Sequence, residues 1–146
     1  MTAKPSPAVL EAWAALLLTE RALVDRVEED LKRAGLPPLE WYHVLHEVDR
    51  SGSGVLRQNN LQKQTHMAQY NVCRLVDRLE REELVERRPC KLDARHNVVV
   101  ITDKGKELRN AMGPIYAAAV EEHFGARLTP AEAQQLSGLL AKLMSS

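Results

Sequence analysis

QYNVCRLVDRLEREELVERRPCKLDARHNVVVITDKG, residues 69 to 105, decides how the rest of the chain is read. Its first half has the period of a helix and its second half the composition of strands. Val72, Leu75, Val76 and Leu79 recur at i, i+3, i+4 and i+7, so four aliphatic side chains share one helical face. The opposite face carries Gln69, Tyr70, Asn71, Arg74, Arg78 and Arg81. Val98, Val99, Val100 and Ile101 are β-branched, which predicts a strand over 97–102 paired with one over 85–88. KLDARH between them forms the tip of a hairpin. Around that tip four cations, Arg87, Arg88, Lys91 and Arg95, outnumber two acids, Glu86 and Asp93. The apolar run anchors a ribbon whose tip is positive.

Working outward, Leu61 sits in a short helix that ends near Thr65, separated by a turn of three or four residues from the helix over 68–83. Val55-Leu56-Arg57 is compatible with a very short strand. SGSG at 51–54 is a turn, and a helix over 38–50 precedes it with Leu39, Tyr42, Val44, Leu45 and Val48. A long helix over 8–34 carries Val9, Trp13, Leu16, Leu17, Val24, Val27 and Leu31, and Gly35 with Pro37-Pro38 ends it. Its WAALLL segment is more apolar than one side of a helix needs, which predicts packing against more than its own chain. Thr102 caps a helix over 103–124 with Leu108, Met112, Ile115 and Ala119 on one face; Pro114 should kink or interrupt it near Asn110. Thr129-Pro130-Ala131-Glu132 starts a final helix bearing Leu136, Leu139, Leu140 and Leu143.

The composition bounds the class. A chain of 146 residues is one domain by length, and 45% hydrophobic with 27% charged residues is ordinary for a globular protein. Aromatics are 4%, so the core is aliphatic. The longest apolar stretch, 12–18, falls short of the ~20 residues that span a bilayer, so no membrane partner is expected. Glu11 interrupts the apolar start, against a signal peptide, and two cysteines make no disulfide framework; a cytoplasmic, reducing location follows. Zero net charge conceals a gradient. Residues 57–106 hold eleven Lys and Arg against seven acids, a net +4, while 1–56 and 107–146 come to −3 and −1. The basic middle points to a polyanion partner.

Amides, a phenol and guanidiniums on one helix can bond base edges and phosphates in a major groove, which admits a single helix. The bland alternative is a solvated face. Arg87 and Arg88 alternate along a strand, so one at most meets DNA and the other supports the ribbon. Cys73 follows Val72 and reads as half-buried and inert, and Cys90 as more exposed. His43, His46 and Asp49 stand three apart beside Glu47, but a third strong ligand is lacking, so no metal or cofactor is expected. Trp13, Trp41 and Tyr42 belong to the core or line a crevice for a small ligand, the core being commoner for aromatics at helical spacing. No nucleophile–base pair, phosphate loop or carboxylate pair indicates an enzyme.

In register, Leu61, Thr65, Val72, Arg74-Leu75-Val76-Asp77-Arg78-Leu79-Glu80, Leu84-Val85-Glu86-Arg87-Arg88, Asp93-Ala94-Arg95 and Ile101-Thr102-Asp103-Lys104-Gly105 resemble the MarR family of winged helix-turn-helix regulators. The resemblance runs from about residue 8 to 144 and is densest over 61–105. It departs at Gln62 (a small Ala in the family), His66 (the turn Gly), Ala68 and Cys73 (Ser), and Glu83 (Gly). It implies a mostly α fold with a small β-hairpin wing. Within one domain over 1–146, 8–36 and 106–146 would be dimerisation helices and 37–105 the DNA-binding region. It also implies a homodimer on a pseudo-palindromic site of double-stranded DNA, with Gln69, Tyr70, Asn71, Arg74 and Arg78 in the major groove. Arg88, Lys91 and Arg95 would sit at the wing, with Asp93 orienting Arg95. The expected activity is a ligand-responsive transcriptional repressor, a small aromatic effector lying near Trp13, Trp41 and Tyr42. A metal- or redox-responsive regulator of the same fold, and a winged-helix module that binds protein instead of DNA, are the alternatives.

Overall fold

The structure, a computed structural model, describes residues 3–51, 55–65, 67, 69–92 and 97–145. Helix α1 spans Pro7–Arg33; Ser6 caps it by accepting from the Val9 amide at 3.2 Å, with Pro7 where a missing N–H costs nothing. It ends in a left-handed Gly35 (φ 73°), with the Leu36 amide donating to the Leu31 carbonyl and that of Gly35 to Lys32. Pro38, whose ring carries no acceptor, cannot cap α2 (Leu39–Asp49). Glu28 of α1 does so instead, its carboxylate accepting from the Leu39 amide at 3.0 Å.

Strand β1 (Val55–Arg57) leads into α3 (Gln58–Thr65) and α4 (Gln69–Arg81), followed by β2 (Val85–Pro89) and β3 (Asn97–Ile101). The three strands form one antiparallel sheet in the order β1-β3-β2, Val55 facing Val100 and Val85 facing Ile101. The short first strand is therefore real, and β3, its apolar run, is the middle strand. Helix α5 (Asp103–His123) begins at Thr102, whose hydroxyl accepts from the Gly105 amide at 3.0 Å. A 3₁₀ turn (Gly125–Arg127) leads to α6 (Pro130–Met144), which opens with the reciprocal Thr129–Glu132 box.

Of the two effects expected of Pro114, interruption does not occur: α5 runs unbroken through it. Its ring is on the exposed side, where water can satisfy the Asn110 carbonyl it leaves without a partner, while Met112 and Ala119 on the other side hold the helix to the core. Gly105 is required at the β3–α5 junction: a Cβ there would overlap the Leu84 carbonyl and stand 2.8 Å from Ile101 Cγ1.

Two apolar clusters result. One joins Val44, Leu45 and Val48 of α2 to Leu61, the stripe of α4 and Val85, Val99 and Ile101 of the sheet. The other joins Val27 and Leu31 of α1, Leu39 and Tyr42 of α2, and Met112 and Ala119 of α5. Helix α2 thus belongs to both. The first half of α1 and all of α6 belong to neither: Val9, Leu10, Trp13, Leu17, Leu18, Leu139, Leu143 and Met144 are exposed. Among the described residues no helix is long and apolar enough to cross a membrane.

Candidate nucleic-acid interface

Helix α4 buries Val72, Leu75, Val76 and Leu79 as its period requires and leaves Asn71, Arg74, Asp77, Arg78 and Arg81 facing outward. Gln69 and Tyr70 fall in its first turn. Arg78 does not wave freely: its guanidinium stands 5.9 Å from the centroid of the Trp41 ring and 3.5 Å from Glu82. Between α2 and this face runs an open cleft of about 670 Å³, where Arg74, Arg78 and Arg81 outnumber the acids Glu40 and Asp77 and Trp41 and Asn71 complete the wall. Outward cations thus line a concave, polar surface of the kind that follows a phosphate chain.

The two adjacent arginines of β2 part ways, as strand alternation predicts. Arg88 is exposed, 2.7 Å from Glu86 on the same side. Arg87 turns inward. Its guanidinium pairs with Asp77 and, at 3.5 Å, with Glu80 of α4; it donates to Gln58 Oε1 of α3 at 2.9 Å and to the Cys73 carbonyl at 3.1 Å. Glu80 in turn accepts from the Arg87 amide at 2.9 Å. One side chain ties the hairpin to both helices of the helix-turn-helix. Gln58, Asp77 and Glu80 are the partners that sequence reading missed; the i, i+3 spacing of 77 and 80 on the polar side of α4 was the available signal.

Lys91 is exposed at the end of the ribbon. Asp93 and Arg95 lie outside the described residues, as do His66 and Ala68 of the turn before α4. Glu83, standing where the family has Gly, adopts φ 63°. It closes α4 as Gly35 closes α1, with Leu84 N–H donating to the Leu79 carbonyl at 2.9 Å.

The three aromatic candidates are not brought together. Trp41 and Tyr42 are neighbours on a helix and so point about 100° apart: Trp41 faces the α4 cleft, whereas Tyr42 is buried against α5. Trp13 is 60% exposed on the unpacked half of α1, so it is not core of this chain, and it lines neither the cleft at Trp41 nor the cavity at Tyr42. Tyr42 has unforeseen companions instead. With His43, His46, Glu47, Thr65 and Tyr116 it lines a cavity of about 330 Å³ between α2, α3 and α5. The rings of Tyr42 and Tyr116 lie 4.7 Å apart, and His46 stacks on Tyr42 at 5.4 Å. Burial holds the His43 imidazole below its ordinary value, against a smaller opposing pull from Glu47, and pushes the Tyr116 phenol up.

His43, His46 and Asp49 do not converge on a common point, because Arg109 of α5 engages two of them, at 3.1 Å from His46 Nδ1 and 3.4 Å from Asp49. Cys73 is half-buried, accepting from Gln58 Nε2 at 3.2 Å. Cys90, expected to be more exposed, is buried at 8%, and Arg57 of β1 brings its guanidinium to 3.6 Å from the sulfur.

A sequence profile of the MarR family matches residues 34–96. The HTH-type transcriptional regulator MhqR of Bacillus subtilis (strain 168) is 29% identical over 113 residues, 77% of this chain and 76% of its own. The crystal structure of AbsC, a MarR family transcriptional regulator from Streptomyces coelicolor, matches with a TM-score of 0.87 at 27% identity, covering 97% of this chain and 95% of that one. Sco3205, a MarR family transcriptional regulator from the same organism solved in complex with DNA, matches with a TM-score of 0.89 over 98% of this chain and 89% of its own; at 24% identity that likeness speaks for the fold.

Proposed function

We propose that this chain is a transcriptional regulator of the MarR family, as its likeness to that family's profile and members supports, and that it is a cytoplasmic, ligand-responsive repressor acting as a homodimer on a pseudo-palindromic operator. The observation that carries this reading is the two-sided α4, aliphatic within and lined with Asn71, Arg74 and Arg78 without, braced through Arg87 to a ribbon that presents Arg88 and Lys91. Residues 37–105 form the DNA-binding region. Gln69, Tyr70, Asn71, Arg74 and Arg78 meet the major groove. Arg88, Lys91 and Arg95, the last oriented by Asp93, meet the backbone and the minor groove. The segments 8–36 and 106–146 form the dimer, supported by the apolar side chains that α1 and α6 leave exposed.

The effector is a small aromatic compound in the Tyr42–His43–Tyr116 cavity. That cavity touches α2, α3 and α5, so a ligand there bears on both apolar clusters and can change the spacing of the two α4 helices in a dimer. This moves the effector away from Trp13 and Trp41 and keeps Tyr42.

The test is fluorescence anisotropy on a duplex carrying the intergenic DNA beside the protein's own gene, with excess nonspecific competitor, at two salt concentrations. Binding that survives competitor and weakens with a slope of about −0.9 per phosphate contacted is expected. If competitor abolishes binding to that duplex and to duplexes selected from a random pool, the DNA-binding reading fails.

A further inference from the structure

We propose that Asp30, Glu122 and His123, at the junction of α1 and α5, form a binding site for a divalent transition-metal ion of borderline softness, such as Zn²⁺ or Co²⁺. The inference does not depend on how the protein reads DNA. Each residue offers one ligand atom, and the three atoms lie within 4.8 Å of one another. His123 Nε2 is 2.8 Å from Asp30 Oδ2 and 4.0 Å from Glu122 Oε2. A tetrahedral ion with bonds of about 2.0–2.1 Å places neighbouring ligand atoms about 3.3 Å apart. That spacing falls between the two observed ones, so small rotations of side chains, without backbone movement, would seat an ion.

The donor set suits such an ion. One imidazole nitrogen with two carboxylate oxygens, and a fourth position open to water, is a set that zinc and cobalt accept; magnesium and calcium favour oxygen alone. Asp30 and His123 come from opposite ends of the sequence and are each only 17% exposed, so the fold and not a mobile surface sets their approach. Glu122, largely exposed, leaves a way in. Arg33 sits 2.9 Å from Asp30 Oδ1, the oxygen that does not face His123, and so orients the carboxylate from behind. It also has Glu29 at 3.8 Å, a second partner toward which a cation would displace it.

An ion there would pin α1 to the end of α5. Those helices share the second apolar cluster and lead into the exposed apolar surfaces, so metal binding would stiffen the part of the molecule assigned to dimerisation.

The experiment uses the full chain. Co²⁺ is titrated while its visible d–d absorption is recorded, Zn²⁺ is then added in competition, and thermal unfolding is followed with and without Zn²⁺. His123→Gln keeps a donor facing Asp30, and Glu122→Gln changes an exposed side chain, so between them at least one variant folds. A combined His43→Gln, His46→Gln variant is the control. Expected are one Co²⁺ per chain in a tetrahedral environment, displacement by Zn²⁺, and a rise in Tm with Zn²⁺. In both site variants the affinity should weaken by more than about tenfold, the lower bound seen when even an outer-shell partner of a metal site is removed; the control should retain it. The proposal is overturned by absence of any cobalt band or Tm shift. It is equally overturned by full affinity in Glu122→Gln and His123→Gln, or by the near-UV thiolate-to-cobalt absorption that cysteine ligation produces.

Discussion

Glu83 holds a conformation that glycine adopts without penalty. At φ 63° its Cβ crowds the backbone, yet α4 ends there with both the 6→1 and 5→2 hydrogen bonds of a left-handed cap, and buried Leu84 lies next to Leu79. The tertiary structure enforces it: the Glu83 carbonyl accepts from the Thr102 hydroxyl at 2.7 Å, and Lys104 Nζ reaches the Glu82 carbonyl at 2.9 Å. Relief of a left-handed penalty of about 1–2 kcal/mol, less the greater chain entropy of glycine, predicts that Glu83→Gly stabilises the protein by about 1 kcal/mol in denaturant unfolding. Also at this scale, His43 makes stability depend on pH. Its pKa is lowered from 6.5 chiefly by burial, so the folded state favours the neutral ring. The unfolded chain binds the proton more readily. The contribution is therefore complete above pH 6.5 and is lost as pH falls through the lower, folded value. Melting curves on both sides of pH 6.5 should show Tm dropping on the acid side, and His43→Gln should reduce that drop.

Between elements, one guanidinium adds a polar tie between the hairpin and α4 to the apolar packing they share. Arg87→Ala removes an ion pair to Asp77 and hydrogen bonds to Gln58 and the Cys73 carbonyl, and should cost about 1–3 kcal/mol of stability. Arg88→Ala, one residue on, should leave stability within about 0.5 kcal/mol, as exposed positions do. The two reverse their rank on DNA. Arg88→Ala should lower the salt slope by about one unit, whereas Arg87→Ala should weaken specific binding with the slope unchanged. Equal slopes for all three proteins would remove Arg88 from the phosphate contacts. Chemical denaturation and salt-dependent anisotropy separate these outcomes.

For the whole molecule, the relevant feature is how α2 is shared. Leu39 and Tyr42 pack with α1 and α5, Val44, Leu45 and Val48 pack with α3, α4 and the sheet, and the Tyr42–Tyr116 cavity opens between. Any displacement of α2 must move both clusters together, because close-packed interiors do not deform continuously. The apolar side chains that α1 and α6 leave outside both clusters argue for a second copy. Leu139→Glu with Leu143→Glu should convert a dimer to a monomer in light scattering. It should weaken operator binding by about 10²–10⁴, the loss expected when two linked half-site contacts become independent.

Local order in the chain was enough for the periodic features. The stripe of α4, the β-branched run of β3, the caps at Thr102 and Thr129 and the divergence of Arg87 from Arg88 follow from side-chain periods of 3.6 and 2 and from capping chemistry. The polar side of α4 was legible for the same reason. What residues far apart do to one another was not. Cys90 is covered by Arg57 across the sheet, and Trp41 and Tyr42 meet different neighbours, the α4 cleft and α5. His46 and Asp49 are taken up by Arg109, 63 and 60 positions away, and Asp30 meets His123 across 93. Spacing along a helix states which side chains share a face; only the closed core decides what that face meets.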